Sequence, residues 1–278
     1  MSRRPKRSHL IAIISDIHFD LHCPNLWAAF RAWHTQWKPK HTVVLGDFVD
    51  LGMLSRYIQG ASEPMKAIPQ IQMFVREANA LAQEAGMLTV VEGNHDERWA
   101  RLFEGKGAAL VGALGLTLEA QCRAQGLDEG VKWFTESARN PVLRLGGVDA
   151  RHGHNQSGRF GSGMHVAATA LRKRRGGSIV FGHTHRGQLY CHTSGGVTDF
   201  AVANPCMTID HNYQPDPDWQ KGFTIMECWD SPKGVKITPH LIIANDGAFA
   251  WGGEVYDGRA ILAEKQKKKV RDRKRRAR

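Results

Sequence analysis

Apolar residues are concentrated in three short runs in the first third of the chain. Leu10–Ile14, Thr42–Leu45 and Met87–Val91 are almost free of polar side chains, as expected of strands covered on both faces. Helical spacing separates them. Leu26, Phe30, Trp33 and Trp37 recur at steps of four, three and four, one face of an amphipathic helix. Ile71, Phe74, Val75, Ala78, Leu81, Ala82 and Ala85 repeat that spacing up to Gly86, a helix stop. The order strand, helix, strand, helix, strand predicts parallel crossovers and an α/β layer. Residues 97–135 read as mostly helical with glycine breaks. From Val142 the runs shorten. Gly146-Gly147 fits a hairpin turn between 142–145 and 148–151. Residues 164–175 read as a helix and 178–181 as a strand. Residues 190–202, 223–229 and 235–243 read as further short strands, together a second and more antiparallel sheet. Two sheets face to face with helices outside close such a chain. The organisation expected is a domain over residues 9–257, with tails at 1–8 and 258–278.

Composition changes little in this picture, but the location of charge matters. Of the net charge of +11, residues 1–8 carry +4 and residues 265–278 carry +9, which leaves −2 for the body between them. The C-terminal run is low in complexity and is expected to be disordered or a frayed helix. It suits DNA or RNA phosphates, and a solubilising end without a partner is the competing reading. Arg172-Lys173-Arg174-Arg175 stands where cations suit a helix C-terminus. The five cysteines form no CxxC pair, which excludes a disulfide framework and a thiolate zinc site. No apolar run approaches the roughly 20 residues of a membrane span. The short run after the basic start lacks a cleavage site. A cytoplasmic location is expected, with no membrane partner.

Candidate chemistry lies where the apolar runs stop. The first ends in Asp16-Ile17-His18, the second in Gly46-Asp47-Phe48-Val49-Asp50, the third in Gly93-Asn94-His95-Asp96. The later hairpin ends in His152-Gly153-His154, and the 178–181 strand in Gly182-His183-Thr184-His185. Ligands gather at the carboxyl ends of strands in open α/β sheets, and strand alternation places residues i and i+2 on one side. Oxygen and nitrogen donors suit Mn²⁺, Fe, Zn²⁺ or Mg²⁺. Seven donors exceed one ion and fit two that share a carboxylate.

These five segments, in this order, resemble the calcineurin-like metallophosphoesterase superfamily, whose signature runs D-x-H, G-D-x-x-D, G-N-H-[DE], H-[GA]-x and G-H-x-H. The resemblance spans residues 16–185. It implies a four-layer α/β/β/α sandwich, two mixed sheets flanked by helices, and two divalent metal ions, manganese foremost. Asp16, His18, Asp47 and His185 would hold the first ion. Asp47 would bridge to a second held by Asn94, His152 and His183. His95 would be the general acid, and Asp96 would orient it or raise the pKa of its imidazole. Hydroxide between the ions would attack phosphorus in line. Asp50 stands outside the ligand set, as a helix cap or a support. His154 competes with His152, and with Arg159 and Arg186 it is a candidate substrate contact; both arginines equally fit solvated surface. Trp219 fits either the core or a wall of the site. The implied activity is hydrolysis of phosphoesters, foremost phosphodiesters of nucleic acid or nucleotides, which would include nucleases. A Ser/Thr protein phosphatase or small-nucleotide phosphatase is the alternative enzyme. A non-catalytic nucleic-acid-binding scaffold is the reading from another class.

Overall fold

The computed structural model describes residues 8–55, 67–103, 111–112, 114–135, 142–154, 164–174, 176–209, 217–232 and 234–276. The three apolar runs form β1 (His9–Ile14), β2 (His41–Leu45) and β3 (Leu88–Val91), paired in parallel. The helical repeats form α1 (Pro24–Trp37) and α2 (Ala67–Glu84). Two short helices, α3 (Arg98–Arg101) and α4 (Leu118–Ala124), follow. A strand that the glycine-broken pattern did not reveal, β4 (Lys132–Phe134), then joins β3 in parallel.

Gly146 and Gly147 both have positive φ, +57° and +99°, as a two-residue turn of the primed type requires. They join β5 (Leu143–Leu145) to β6 (Val148–Arg151). α5 is Val166–Lys173, shorter than the expected 164–175, and leads to β7 (Ile179–Phe181). The expected 190–202 stretch is two antiparallel strands, β8 (Gln188–Ser194) and β9 (Val197–Ala203). The second sheet runs β5-β6-β7-β9-β8.

One expectation is corrected here. β10 (Gly222–Ser231) and β11 (Gly234–Ile243) do not belong to the second sheet. β10 pairs antiparallel with β1, so the first sheet runs β11-β10-β1-β2-β3-β4. The alternation of β10 explains it: Phe223 and Ile225 pack towards the helices, and Met226 and Cys228 towards the other sheet. A small hairpin, β12 (Ala248–Trp251) and β13 (Glu254–Asp257), lies against α1.

Side-chain alternation builds the four layers. Ala12, Ile14, Val44 and Val90 point towards α1 and α2, where they meet Phe30, Trp33, Phe74 and Leu81. Ile11, Ile13, Val43, Leu45 and Val91 point the other way, onto Val148, Ala150, Val180 and Val202 of the second sheet. On the far face of that sheet, Ile179, Phe181, Ala201 and Ala203 receive Val166, Ala170 and Leu171 of α5. The architecture is the α/β/β/α sandwich. Trp33 is wholly buried in the first core.

The basic C-terminal segment, expected to be disordered or a frayed helix, is helical: α6 (Gly258–Arg276). Asp257 caps it, its Oδ1 accepting from the N–H groups of Arg259 and Ala260 at 2.9 and 3.2 Å. Ala, Leu, Gln and Lys fill it with good helix formers. Among the described residues no helix is long and apolar enough to cross a membrane.

His41, on β2, is buried with its Nε2 2.9 Å from Thr89 Oγ1. Burial first, and Lys132 second, push its pKa down to about 4. The fold therefore holds it neutral, while the unfolded chain takes up a proton below about pH 6.5. Stability is complete above pH 6.5 and falls as pH drops towards 4, by at most roughly 3 kcal/mol from this residue. Thermal melts between pH 4 and 8 should show that slope, and His41→Gln should flatten it.

Candidate metal centre

Each chemistry-bearing segment leaves a strand at the same end of the sandwich. The exits of β1 and β2 run side by side: Asp16 N–H donates to Gly46 O at 3.0 Å, and Ile17 and His18 N–H both donate to Asp47 O at 2.9 and 3.0 Å. The pleat does not aim the side chains. β1 stops at Ile14 and β7 at Phe181, and the donors lie beyond, in turns. Asp16, His18, Asp47, His183 and His185 have φ of +51°, +50°, +52°, +67° and +56°. Five of the seven proposed ligands thus adopt a left-handed backbone, which costs a non-glycine residue about 1–2 kcal/mol. Glycines provide the space beside them. A Cβ on Gly93 would stand 2.3 Å from Asp47 Oδ1, one on Gly182 2.8 Å from Asp16 Oδ2, and one on Gly46 2.2 Å from His152 Nδ1.

Among the described residues three groups of donors lie close enough to hold an ion: two are built from the expected ligands, and a third, His18, Asp50 and His95, overlaps the first through His18. The first two are the candidate sets. In the first, ligand atoms of Asp16, His18 and His185 lie within 4.8 Å of one another, with His185 Nε2 3.3 Å from Asp16 Oδ1. In the second, Asp47, His152 and His183 do the same, with His152 Nε2 3.3 Å from Asp47 Oδ2 and 3.1 Å from Asn94 Oδ1. Asp47 Oδ2 is also 3.9 Å from His18 Nε2, so this carboxylate stands between the sets. Each set takes residues from both sheets. His183 N–H donates to both oxygens of Asp16 at 3.1 Å.

The electrostatics fit a cation. Burial alone would raise the Asp16 carboxyl, yet His185 and His152 hold it down at about 2. Burial opposes ionisation of Asp47 too, and His152 and His95 hold it well below the usual range. Burial would depress His152, but Asp47 and Asp16 lift it to about 10. His185 is lifted past its own burial by the Cys206 thiol and Asp16. His183, pushed down to about 4 by burial and His152, stays neutral. Buried carboxylates that capture protons on neighbouring imidazoles form a place for positive charge, and a divalent ion would displace those protons. Carboxylate, imidazole and amide donors match hard-to-borderline metals.

His95 sits beside both sets, its ring 4.4 Å from that of His18. Here one expectation fails. Asp96 does not orient His95: its Oδ2 accepts from the N–H groups of Asp47 and Gly93 at 2.8 Å, and its Oδ1 from Val49 at 3.2 Å. It turns back into its own loop and ties the exits of β2 and β3 together. Asp50 takes the orienting place. Its carbonyl and its Oδ1 lie 3.0 and 3.1 Å from His95 Nδ1, and the same Oδ1 lies 3.3 Å from His18 Nδ1. Burial opposes the Asp50 charge, but His18 and His95 hold its pKa down. Arg98, which no motif singled out, places Nη2 3.0 Å from His95 Nε2 and donates through Nη1 to Asp50 O at 2.9 Å. A guanidinium only donates, so Nε2 accepts there and the ring proton lies on Nδ1.

The proposed substrate contacts fare differently. His154 Nε2 is 2.8 Å from Glu97 Oε1, with its ring 5.4 Å from His152. Arg186 is engaged by Asp218 Oδ2 at 2.7 Å. Arg159 lies outside the described residues. Trp219 meets the His185 ring edge-on at 4.4 Å and so walls the first set.

A family model described as calcineurin-like phosphoesterase matches residues 9–187, a span that contains both donor sets. The chain belongs to the calcineurin-like phosphoesterase family. No curated protein gives a significant sequence match. Among solved structures, the chain is similar to Vacuolar Protein Sorting 29 from Cryptosporidium parvum (14% identity, TM-score 0.46, covering 90% of this chain and 98% of that one). It is also similar to a dimetal phosphatase from Danio rerio (11% identity, TM-score 0.39, 84% and 98%) and a predicted phosphoesterase from Streptococcus pneumoniae (12% identity, TM-score 0.34, 85% and 100%).

Proposed function

We propose that this member of the phosphoesterase family is a metal-dependent hydrolase of phosphodiesters, of nucleic-acid or nucleotide type. The observation that carries the reading is the pair of Asp/His sets joined through Asp47, with His95 held beside them. Asp16, His18 and His185 would hold one divalent ion and Asn94, His152 and His183 the other, with Asp47 shared. Such ions supply charge neutralisation at phosphoryl oxygens and an acidified water near neutral pH.

The chain's own groups do the rest. Asp50 anchors His95 through Nδ1; Nε2, which accepts from Arg98 in this structure, would hand a proton to the leaving oxygen only from the doubly protonated ring, with Arg98 turned from that nitrogen to a phosphoryl oxygen. Arg98 brings a guanidinium to that same nitrogen, where it suits a phosphoryl oxygen. Asp96 keeps the two loops in register, and Trp219 limits water access to His185.

Metal-loaded protein should hydrolyse bis-para-nitrophenyl phosphate faster than the monoester, with Mn²⁺ tested first and then Fe²⁺, Zn²⁺ and Mg²⁺. Chelation should abolish the activity. Turnover of neither ester with any of the four metals would overturn the proposal. Preference for the monoester or a phosphopeptide would favour the phosphatase reading.

A further inference from the structure

Helix α6 is seated on the sandwich only by its first turn. Gly258 is buried and its N–H donates to Gly247 O at 3.2 Å. A Cβ at Gly258 would fall 1.7 Å from the Asn25 carbonyl oxygen, so the helix root rests on the start of α1. From Leu262 to Arg275 every residue is exposed. Nine of the twelve residues Lys265–Arg276 are Lys or Arg, and one is Asp. Among the described residues, none of the cations from Lys265 to Arg275 has an ion-pair partner. Lys265/Lys269, Lys267/Arg271, Lys269/Arg273 and Arg271/Arg275 place like charges at i,i+4, which weakens a helix alone in water. A polyanion would relieve that repulsion.

The character of the helix selects the polyanion. Beyond the first turn and Leu262–Ala263, only Val270 is apolar. A membrane-surface helix needs an apolar face to bury, and a helix docked in a protein groove needs apolar anchors. α6 has neither and offers charge on all sides over about 18 Å. Its root is at the end of the sandwich where the strand exits gather. Cys23, just ahead of α1, donates its N–H to Met207 O at 2.8 Å, and Met207 N–H donates to Asp16 O at 3.1 Å.

We propose that α6 is a nucleic-acid-binding arm, which holds the phosphate backbone of a DNA or RNA strand by charge at the same end of the molecule as the Asp/His sets. That the bound strand is also the substrate rests on the function proposed above; binding itself does not. With about half its cations engaged, α6 would neutralise about five phosphates. That gives a slope of log K against log salt of about −4.5 on duplex and about −3.5 on single strands.

The test uses full-length protein, a protein ending at residue 264, and a variant with Lys267, Lys268, Arg271, Lys274 and Arg275 all changed to Gln, which keeps helix formers. Anisotropy with a fluorescent 20-nucleotide single strand and a 20-base-pair duplex is measured from 50 to 300 mM salt. Both altered proteins should bind at least 10-fold more weakly, with a slope shallower by 3 to 4. Hydrolysis of bis-para-nitrophenyl phosphate should stay within twofold of the parent. Unchanged affinity and slope would overturn the proposal, as would tail-dependent binding to phosphatidylserine vesicles without oligonucleotide binding. If oligonucleotide binding depends on α6 while the small diester is not cleaved, the arm stands and the hydrolase reading falls.

Discussion

Asp47→Asn is expected to reduce diester hydrolysis by roughly 1,000-fold while far-UV circular dichroism stays unchanged. Asp47 Oδ2 lies 3.3 Å from His152 Nε2 and 3.9 Å from His18 Nε2, so one oxygen serves both donor sets. The amide keeps the size of the side chain and an Oδ1 that accepts from His95 N–H, now 2.8 Å away. What it removes is the charge. Loss of an outer partner of a metal ligand costs about 10–100-fold in affinity or activity, and a residue common to both sets should cost more. Metal content, measured after dialysis, should fall in parallel. Retention of full metal content with less than a tenfold loss of rate would remove Asp47 from the centre of the site.

The second large effect depends on the leaving group. His95→Asn should slow an alkyl phosphodiester by about 100-fold or more, but the para-nitrophenyl diester much less, because that leaving group departs without a proton. Asp50→Asn should reproduce the pattern more weakly, by roughly tenfold, since Asp50 acts through Nδ1 of His95. Asp96→Asn is different: its partners are three main-chain N–H groups, and its loss should lower stability without dependence on the leaving group. Equal losses on both substrates for His95→Asn would argue against proton donation.

The sequence carried the features that depend on neighbours along the chain. Residues 10–14, 42–45 and 87–91 announced buried parallel strands, and Gly146-Gly147 the hairpin. It was silent where partners are remote. β10 looked like one more antiparallel strand, and only its register with β1, Ile225 against Ala12, places it in the first sheet. For the site, residue types and order located the strand exits, but not how the side chains converge. Strand alternation pairs Asp16 with His18; in the structure left-handed turns do so. Asp96, adjacent to His95, was the natural choice to orient it. The contact belongs to Asp50, 45 residues away, whose spacing also suits a cap. Arg98 lies three residues beyond His95 in no recognisable pattern and takes its place from the start of α3.

The division of each donor set between the two sheets has a mechanical consequence. Asp16 and His18 face His185 across the seam of the sandwich, and Asp47 faces His152 and His183. An ion held by either set would be a cross-link between sheets that otherwise adhere through side chains such as Ile13, Val43 and Val180. Shear along that seam would pull ligands apart, and an ion in place would resist the shear. By linkage, affinity for the ion and cohesion of the two halves are one quantity measured from two sides.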